Sequence, residues 1–306
     1  MLELACRFCG VFNRFDRFFC VRCRRRLVPL TSYDVTVDDF AYPGDVDNMH
    51  ALEGSKVFTG LAKRFIAGKR EEILRNWLRE KAHPVEQSSE LYDIVRRSGW
   101  LLGVERLPEV YVAGLTEPNA FTFGDNNNAA LVVDYHLLNL LDREEVTALI
   151  AHELTHVKSQ HLLYHTLAEL IIRGADVVAP ILGVGVVTAS LRMLLLAWHR
   201  DSEITADRGA LLIVQKPEVL KNLLAKLAGR RTDESRLEEL FKTHPNYRNR
   251  VEKINEFYDS PEYREAVNKI KKREKLVWAL TPLCRFCREP KPVEALFCPS
   301  CGRSQV

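Results

Sequence analysis

Asp142 to His161 read DREEVTALIAHELTHVKSQH, and the pentapeptide His152-Glu153-Leu154-Thr155-His156 at its centre decides the fold. Asp142 and Glu145 have the spacing of a capping box, so a helix starts there and carries the pentapeptide. Residues four apart on a helix face the same way. The imidazoles of His152 and His156 therefore converge on one metal ion, with Glu153 beside them as a base for water. A catalytic zinc takes three protein ligands and keeps one position for water or substrate. Downstream, WHRDSEITADRGALL offers Glu203 as the third ligand, on a second predicted helix. Asp207 lies four residues further along the same face, placed to accept the N–H of a ligand histidine, His152, and fix its tautomer.

Together HELTH, the later Glu203-to-Asp207 segment EITAD and the Asn119-Ala120-Phe121 triplet resemble the HtpX-like zinc endopeptidases, gluzincins related to the CAAX prenyl proteases. The resemblance runs from about residue 85 to residue 255 and includes THPNYRNR, residues 243–250. It implies an α+β, mainly helical zincin-like core with a small β-sheet, and hydrolysis of peptide bonds in protein quality control. It also implies that the strand beginning at Asn119, Ala120 and Phe121 edges the cleft, where an extended substrate adds as a further strand. His244 or Arg250 is implied to stabilise the developing oxyanion; His244 alternatively occupies the open zinc position as a gate.

The eight cysteines fall into two identical patterns, CxxC, ten residues, CxxC: Cys6, Cys9, Cys20, Cys23 and Cys284, Cys287, Cys298, Cys301. Two knuckles of this kind present four thiolates tetrahedrally to one zinc ion, which supplies folding energy that so short a segment lacks. Two structural zinc ribbons are expected, at 1–30 and 279–306, and three zinc ions in all. The opening MLELACRFCG has no basic leader followed by an apolar core. With cysteines spaced for metal, a reducing, cytoplasmic setting is expected, with contact at a membrane periphery as the second outcome.

The chain has 306 residues with 46% hydrophobic and 28% charged composition and a formal net charge of +3. That balance argues against wholesale disorder and against a multi-span membrane protein. Residues 31–50 hold five aspartates and a Pro43-Gly44 turn without a helical apolar period, and are expected to be a linker. The peptidase domain is expected over 51–278. It opens with a long amphipathic pattern, continues with a helix capped by Ser88 or Ser89, and has strands confined to PEVYVAG and NAFTFGDNNNAALVV.

Three features admit rival readings. His161 and His165 are also four apart, but Leu162 stands where a catalytic glutamate would be, so both are read as surface or core histidines. The uncharged run Val177 to Leu191 has fifteen residues, short of the roughly twenty that span a bilayer, and Pro180, Gly183 and Gly185 suit a bend. Residues 177–198 are therefore expected to form a buried or projecting hairpin, with a membrane surface or partner as the other destination for its tip. In the first ribbon seven arginines face only Glu3 and Asp16, interleaved with phenylalanines. This suits a protein-docking surface; phosphate contacts and base stacking with nucleic acid are the rival use. The alternative to an enzyme is a catalytically silent scaffold whose ribbons bind protein or nucleic acid.

Overall fold

A computed structural model describes residues 3–14, 17–27, 34–55, 80–115, 119–124, 128–165, 189–229, 247–280, 284, 286–287, 298 and 301–304. Its order is β1 (Glu3–Ala5), β2 (Phe12–Arg14), a 3-10 turn (Val37–Asp39), α1 (Pro43–Gly54), β3 (Ala82–Pro84), α2 (Glu90–Leu101), β4 (Glu109–Ala113), β5 (Ala120–Phe123) and β6 (Ala130–Asp134). There follow α3 (Tyr135–Leu140), α4 (Arg143–Lys158), α5 (Ala189–Val214), α6 (Pro217–Gly229), α7 (Tyr247–Asp259) and α8 (Pro261–Leu280). The architecture is α+β and mainly helical.

A four-stranded sheet in the order β3-β4-β6-β5 carries one parallel pair, β4 with β6, between antiparallel edges. Strand β6 is ALVVD, buried along its whole length, as a strand covered on both faces must be. Its alternate residues part company: Leu131 and Val133 join the large helical core, while Ala130 and Val132 meet Ala82, Ala113 and Phe123 on the opposite face. This puts β5 at the sheet edge, with β6 as its one strand neighbour among the described residues.

Helix α4 starts where its capping box predicts: Asp142 Oδ1 accepts from Glu145 N–H and Glu145 Oε2 accepts from Asp142 N–H, both at 2.9 Å. Ser89 caps α2, its hydroxyl accepting from Tyr92 N–H. Helix α5 lies against α4 at unusually close range. A Cβ on Gly209 would collide with the fully buried Thr155 side chain, so the glycine is what lets the two axes approach.

The stretch expected as a linker, 31–50, instead holds the 3-10 turn and most of α1. No apolar stripe betrays α1 because its contact with α5 is polar. Asp45 accepts from the Thr205 hydroxyl at 2.6 Å, and Asn48 Nδ2 donates to Asp201 Oδ2 at 2.8 Å. Strand β3 also falls outside the runs expected to hold the strands. Its three residues end at Pro84, and a residue before proline is driven extended. Pairing with β4 makes it a strand.

The first ribbon is seated on the peptidase core. Phe19 is buried, and Phe18 stacks on Trp100 of α2 with centroids 4.2 Å apart. Trp100 is also flanked by the Arg26 guanidinium at 5.0 Å and the Arg273 guanidinium of α8 at 4.0 Å, and both arginines pair with buried Asp34. Arg24 Nε donates to Leu107 O and its Nη2 to Glu109 Oε1. Of the 177–198 run, residues 189–198 lie in α5 and 177–188 lie outside the described residues, as does the amphipathic pattern over 56–79. No helix among the described residues is long and apolar enough to cross a membrane.

Candidate metal centre

The capped helix α4 delivers His152 and His156 to the face that meets α5, which returns Glu203 and Asp207 on its own facing turn. His152 Nε2 and His156 Nε2 are 3.3 Å apart, and the Glu203 carboxylate oxygens lie 3.6 Å from the first and 3.5 Å from the second. Zinc bound to nitrogen and oxygen at about 2.0–2.1 Å in a tetrahedron separates its ligand atoms by roughly 3.3–3.4 Å. The three donors therefore fit a zinc ion as they stand. Their other ring nitrogens face away, His152 Nδ1 toward Asp207 Oδ1 and His156 Nδ1 toward His161 Nδ1, each at 3.1 Å.

Arg250, from α7, holds both acidic groups. Its Nε and Nη2 donate to the two Asp207 oxygens at 2.6 Å each, and Nη1 lies 3.2 Å from Glu203 Oε2. The guanidinium therefore reaches the site and is engaged there by carboxylates. His244 lies outside the described residues.

The electrostatics are those of a nest for positive charge. Burial alone would disfavour a charged His152, yet its hydrogen bonds to Asp207 and Glu203 overcome this and raise its pKa to about 10. Burial pulls His156 down to about 4, against the Glu203 hydrogen bond. Burial also works against ionised Glu203 and Asp207, but their histidine hydrogen bonds and Arg250 hold both carboxyls below the usual range.

Glu153 is a different carboxylate. Burial pushes its pKa up to about 7, with the positive side of His152 and the Thr122 hydroxyl pulling the other way. Thr122 Oγ1 donates to Glu153 Oε2 at 2.7 Å, which ties the acid to the middle of edge strand β5. Asn119 leads into that strand, its carbonyl accepting from Asp134 N–H at 2.9 Å, and Ala120 and Phe121 are the first two residues of it. Thr122 went unselected in the sequence, since no spacing marks which residue of a short strand points at a helix. Asp45 and His161 were also missed as site residues; His161 Nε2 lies 3.1 Å from Asp45 Oδ2.

Each cysteine quartet has tetrahedral spacing too. Sγ separations are 3.6 Å for Cys6–Cys23 and Cys9–Cys20, 3.7 Å for Cys284–Cys301 and 3.6 Å for Cys287–Cys298. Zinc–sulfur bonds of about 2.3 Å set sulfurs roughly 3.8 Å apart in a tetrahedron, whereas a disulfide needs about 2.05 Å. Burial works against a Cys20 thiolate, but backbone N–H groups of Cys23 and Arg22 bond its sulfur and bring its pKa down to about 6. The knuckles share one backbone device. Gly10, Arg24 and Gly302 each follow a second cysteine with φ of +74°, +60° and +69°, and donate their N–H to the carbonyl of the first cysteine.

The sequence model of peptidase family M48 matches residues 87–257. Plastoglobule-localized metallopeptidase 48 of Arabidopsis thaliana is 33% identical over 208 residues, 67% of this chain and 60% of that protein. A protease HtpX homolog of Campylobacter hominis is 30% identical over 214 residues, 56% of this chain and 76% of the relative. Another, of Campylobacter curvus, is 33% identical over 160 residues, 45% of this chain and 56% of the relative. The chain thus spans 56–76% of the length of these relatives. The matched stretch contains α4, α5, β5 and Arg250, the parts that build the metal centre, and the chain belongs to peptidase family M48 as an HtpX-like metallopeptidase.

Proposed function

We propose that the chain is a zinc-dependent endopeptidase that cleaves extended, unstructured protein segments, with His152, His156 and Glu203 holding the catalytic zinc. One observation carries this reading: three donor atoms from two helices stand 3.3–3.6 Å apart, and the adjacent Glu153 is bonded to an edge strand. When bound, zinc supplies a Lewis acid that polarises the scissile carbonyl and acidifies a water molecule.

The protein's own groups do the rest. Strand β5, last in the described sheet, presents its outer edge to the substrate backbone, so that main-chain hydrogen bonds align the peptide regardless of its sequence. Glu153 takes the proton from the attacking water and passes it to the departing amine. Burial raises the Glu153 carboxyl above the usual range while a divalent ion beside it works the other way, and between these two pulls the group both takes up and releases a proton. Thr122 holds Glu153 facing β5. Asp207 fixes His152 with Nε2 toward the metal, and Arg250 holds Asp207 and Glu203 in register. His244 is assigned the oxyanion or the gating role only by family resemblance.

The two cysteine quartets hold one structural zinc each in this reading, making three zinc ions per chain. Thiolate sites of that kind belong in a reducing compartment. The outer ribbon surface, with Phe8 and Phe12 exposed and Arg7 and Arg25 stacked over Phe8, is assigned to protein partners.

The test is digestion of a permanently unfolded protein by wild type and by Glu153→Gln. Replacing the base is expected to lower turnover by at least about 10²–10⁴-fold while leaving all zinc in place. Equal digestion by both proteins would overturn the assignment of Glu153, and no digestion by wild type would return the chain to a silent scaffold.

A further inference from the structure

We propose that Asp45 and His161 form a relay that positions the zinc ligand His156, making helix α1 a working part of the metal centre. This rests on the assignment of His156 as a ligand made above. The two ligand histidines are backed in different ways. His152 meets a carboxylate directly, Asp207. His156 meets another imidazole, and the carboxylate stands one step further away.

The geometry leaves one arrangement of protons. If His156 uses Nε2 for the metal, its Nδ1 carries the hydrogen and donates to His161 Nδ1 at 3.1 Å. His161, accepting on Nδ1, must carry its own hydrogen on Nε2, which lies 3.1 Å from Asp45 Oδ2. The Thr205 hydroxyl donates to the same Asp45 oxygen at 2.6 Å and accepts from Tyr42 N–H at 3.0 Å. Every link has one direction. Thr205 lies two residues beyond Glu203 on α5, so the relay ends on the helix that supplies the third ligand.

Two further features favour a working role over filler. Asp45 is 3% exposed and His161 2%, and a carboxylate taken that far from water is expensive unless its partners are worth keeping. The chain also accepts backbone strain to place His161. Helix α4 ends with His161 N–H bonded to His156 O and Gln160 N–H to Val157 O, the two bonds of a Schellman motif. Gln160 sits at φ +62°, where a residue other than glycine is strained. The reversal brings the His161 ring back beneath His156, with centroids 5.3 Å apart. Asp45 and α1 lie outside residues 87–257, the stretch that matches the family model, whereas His161 and Thr205 lie within it.

The experiment uses the full-length, zinc-loaded chain and reads chelator competition for the His/Glu site, with the visible spectrum of cobalt at that site as a second readout. Asp45→Ala and His161→Phe are expected to weaken that site about 10–100-fold and to alter the cobalt spectrum. Asp45→Asn keeps an oxygen that accepts from His161 and Thr205, so it is expected to fall between wild type and alanine, and it carries the test if the alanine variant fails to fold. Asn48→Ala cuts the other tie between α1 and α5 without touching the relay and is expected to stay close to wild type. An unchanged affinity in Asp45→Ala, or an equal loss in Asn48→Ala, overturns the relay and leaves the peptidase assignment standing. A wild-type chain with no zinc that His152→Ala removes overturns both.

Discussion

The first cysteine quartet and the His/Glu cluster both space their donor atoms for one tetrahedral ion, but they reach that spacing by opposite routes. In the ribbon, ligands seventeen and eleven residues apart are set by local backbone turns, and four sulfurs fill the tetrahedron. At the His/Glu cluster the donors come from α4 and α5, and their orientation is enforced by Asp207, Arg250, His161 and, at one remove, Asp45. A closed site can be written locally because nothing has to enter it. An open one must hold three ligands rigid while leaving a fourth position for chemistry, so it recruits its supports from across the fold.

The largest expected effect on stability breaks that outer support. Arg250 balances two buried carboxylates, and Arg250→Ala leaves both with only their histidine partners, at a cost of about 3–5 kcal/mol in the zinc-free protein. A divalent ion offsets the same charges, so the loss measured by denaturant unfolding should shrink when zinc is present. A loss independent of zinc would separate Arg250 from the metal centre. The matching change in the ribbon is Cys6→Ser with Cys9→Ser, which should release one zinc ion and leave the His/Glu zinc bound. Phe19 burial contributes roughly 1.5–3 kcal/mol and the Phe18–Trp100 pair roughly 0.5–1.5 more, so a stability loss on the order of 2–4 kcal/mol is expected. An unchanged melting temperature would mean that the ribbon stays docked without its metal.

The same contrast explains what could be read from sequence. The cysteine quartets, the capping box of α4 and the two histidines four apart are local patterns, and each stands where its spacing placed it. The meeting of Glu203 with that pair was legible through the second carboxylate at Asp207 on the same helix face. Helix α1 was not legible, because it docks through Asp45 and Asn48 and so lacks the apolar period that marks most helices. His161 was set aside with His165 because Leu162 stands where a glutamate would be, and its link to His156 has no local mark. Five residues after His156 it lies on another face of a continuous helix, and only the left-handed turn at Gln160 brings the two rings together. The seating of the ribbon depends on Trp100, more than seventy residues away in the chain, and no local pattern announces it.

Both regions contain one residue forced into left-handed backbone without being glycine, Arg24 at φ +60° and Gln160 at φ +62°, and this pair gives the finest test of the comparison. Glycine relieves about 1–2 kcal/mol of strain at such a position and gives back roughly 0.5–1 through the freer unfolded chain. Gln160→Gly should therefore be neutral to slightly stabilising and keep zinc affinity intact, because the turn, not the glutamine side chain, delivers His161. Arg24→Gly loses the side-chain bonds to Leu107 O and Glu109, a partly exposed ion pair and one hydrogen bond worth about 1–2 kcal/mol together. It should come out neutral to slightly destabilised. The ordering of the two variants by thermal or denaturant melts is the readout. Arg24→Gly proving the more stable would mean that the Arg24 side chain contributes nothing to the seat, which then rests on the aromatic contacts of Phe18 and Phe19 and on the other bonds across the junction, such as Arg106 Nε to Cys23 O.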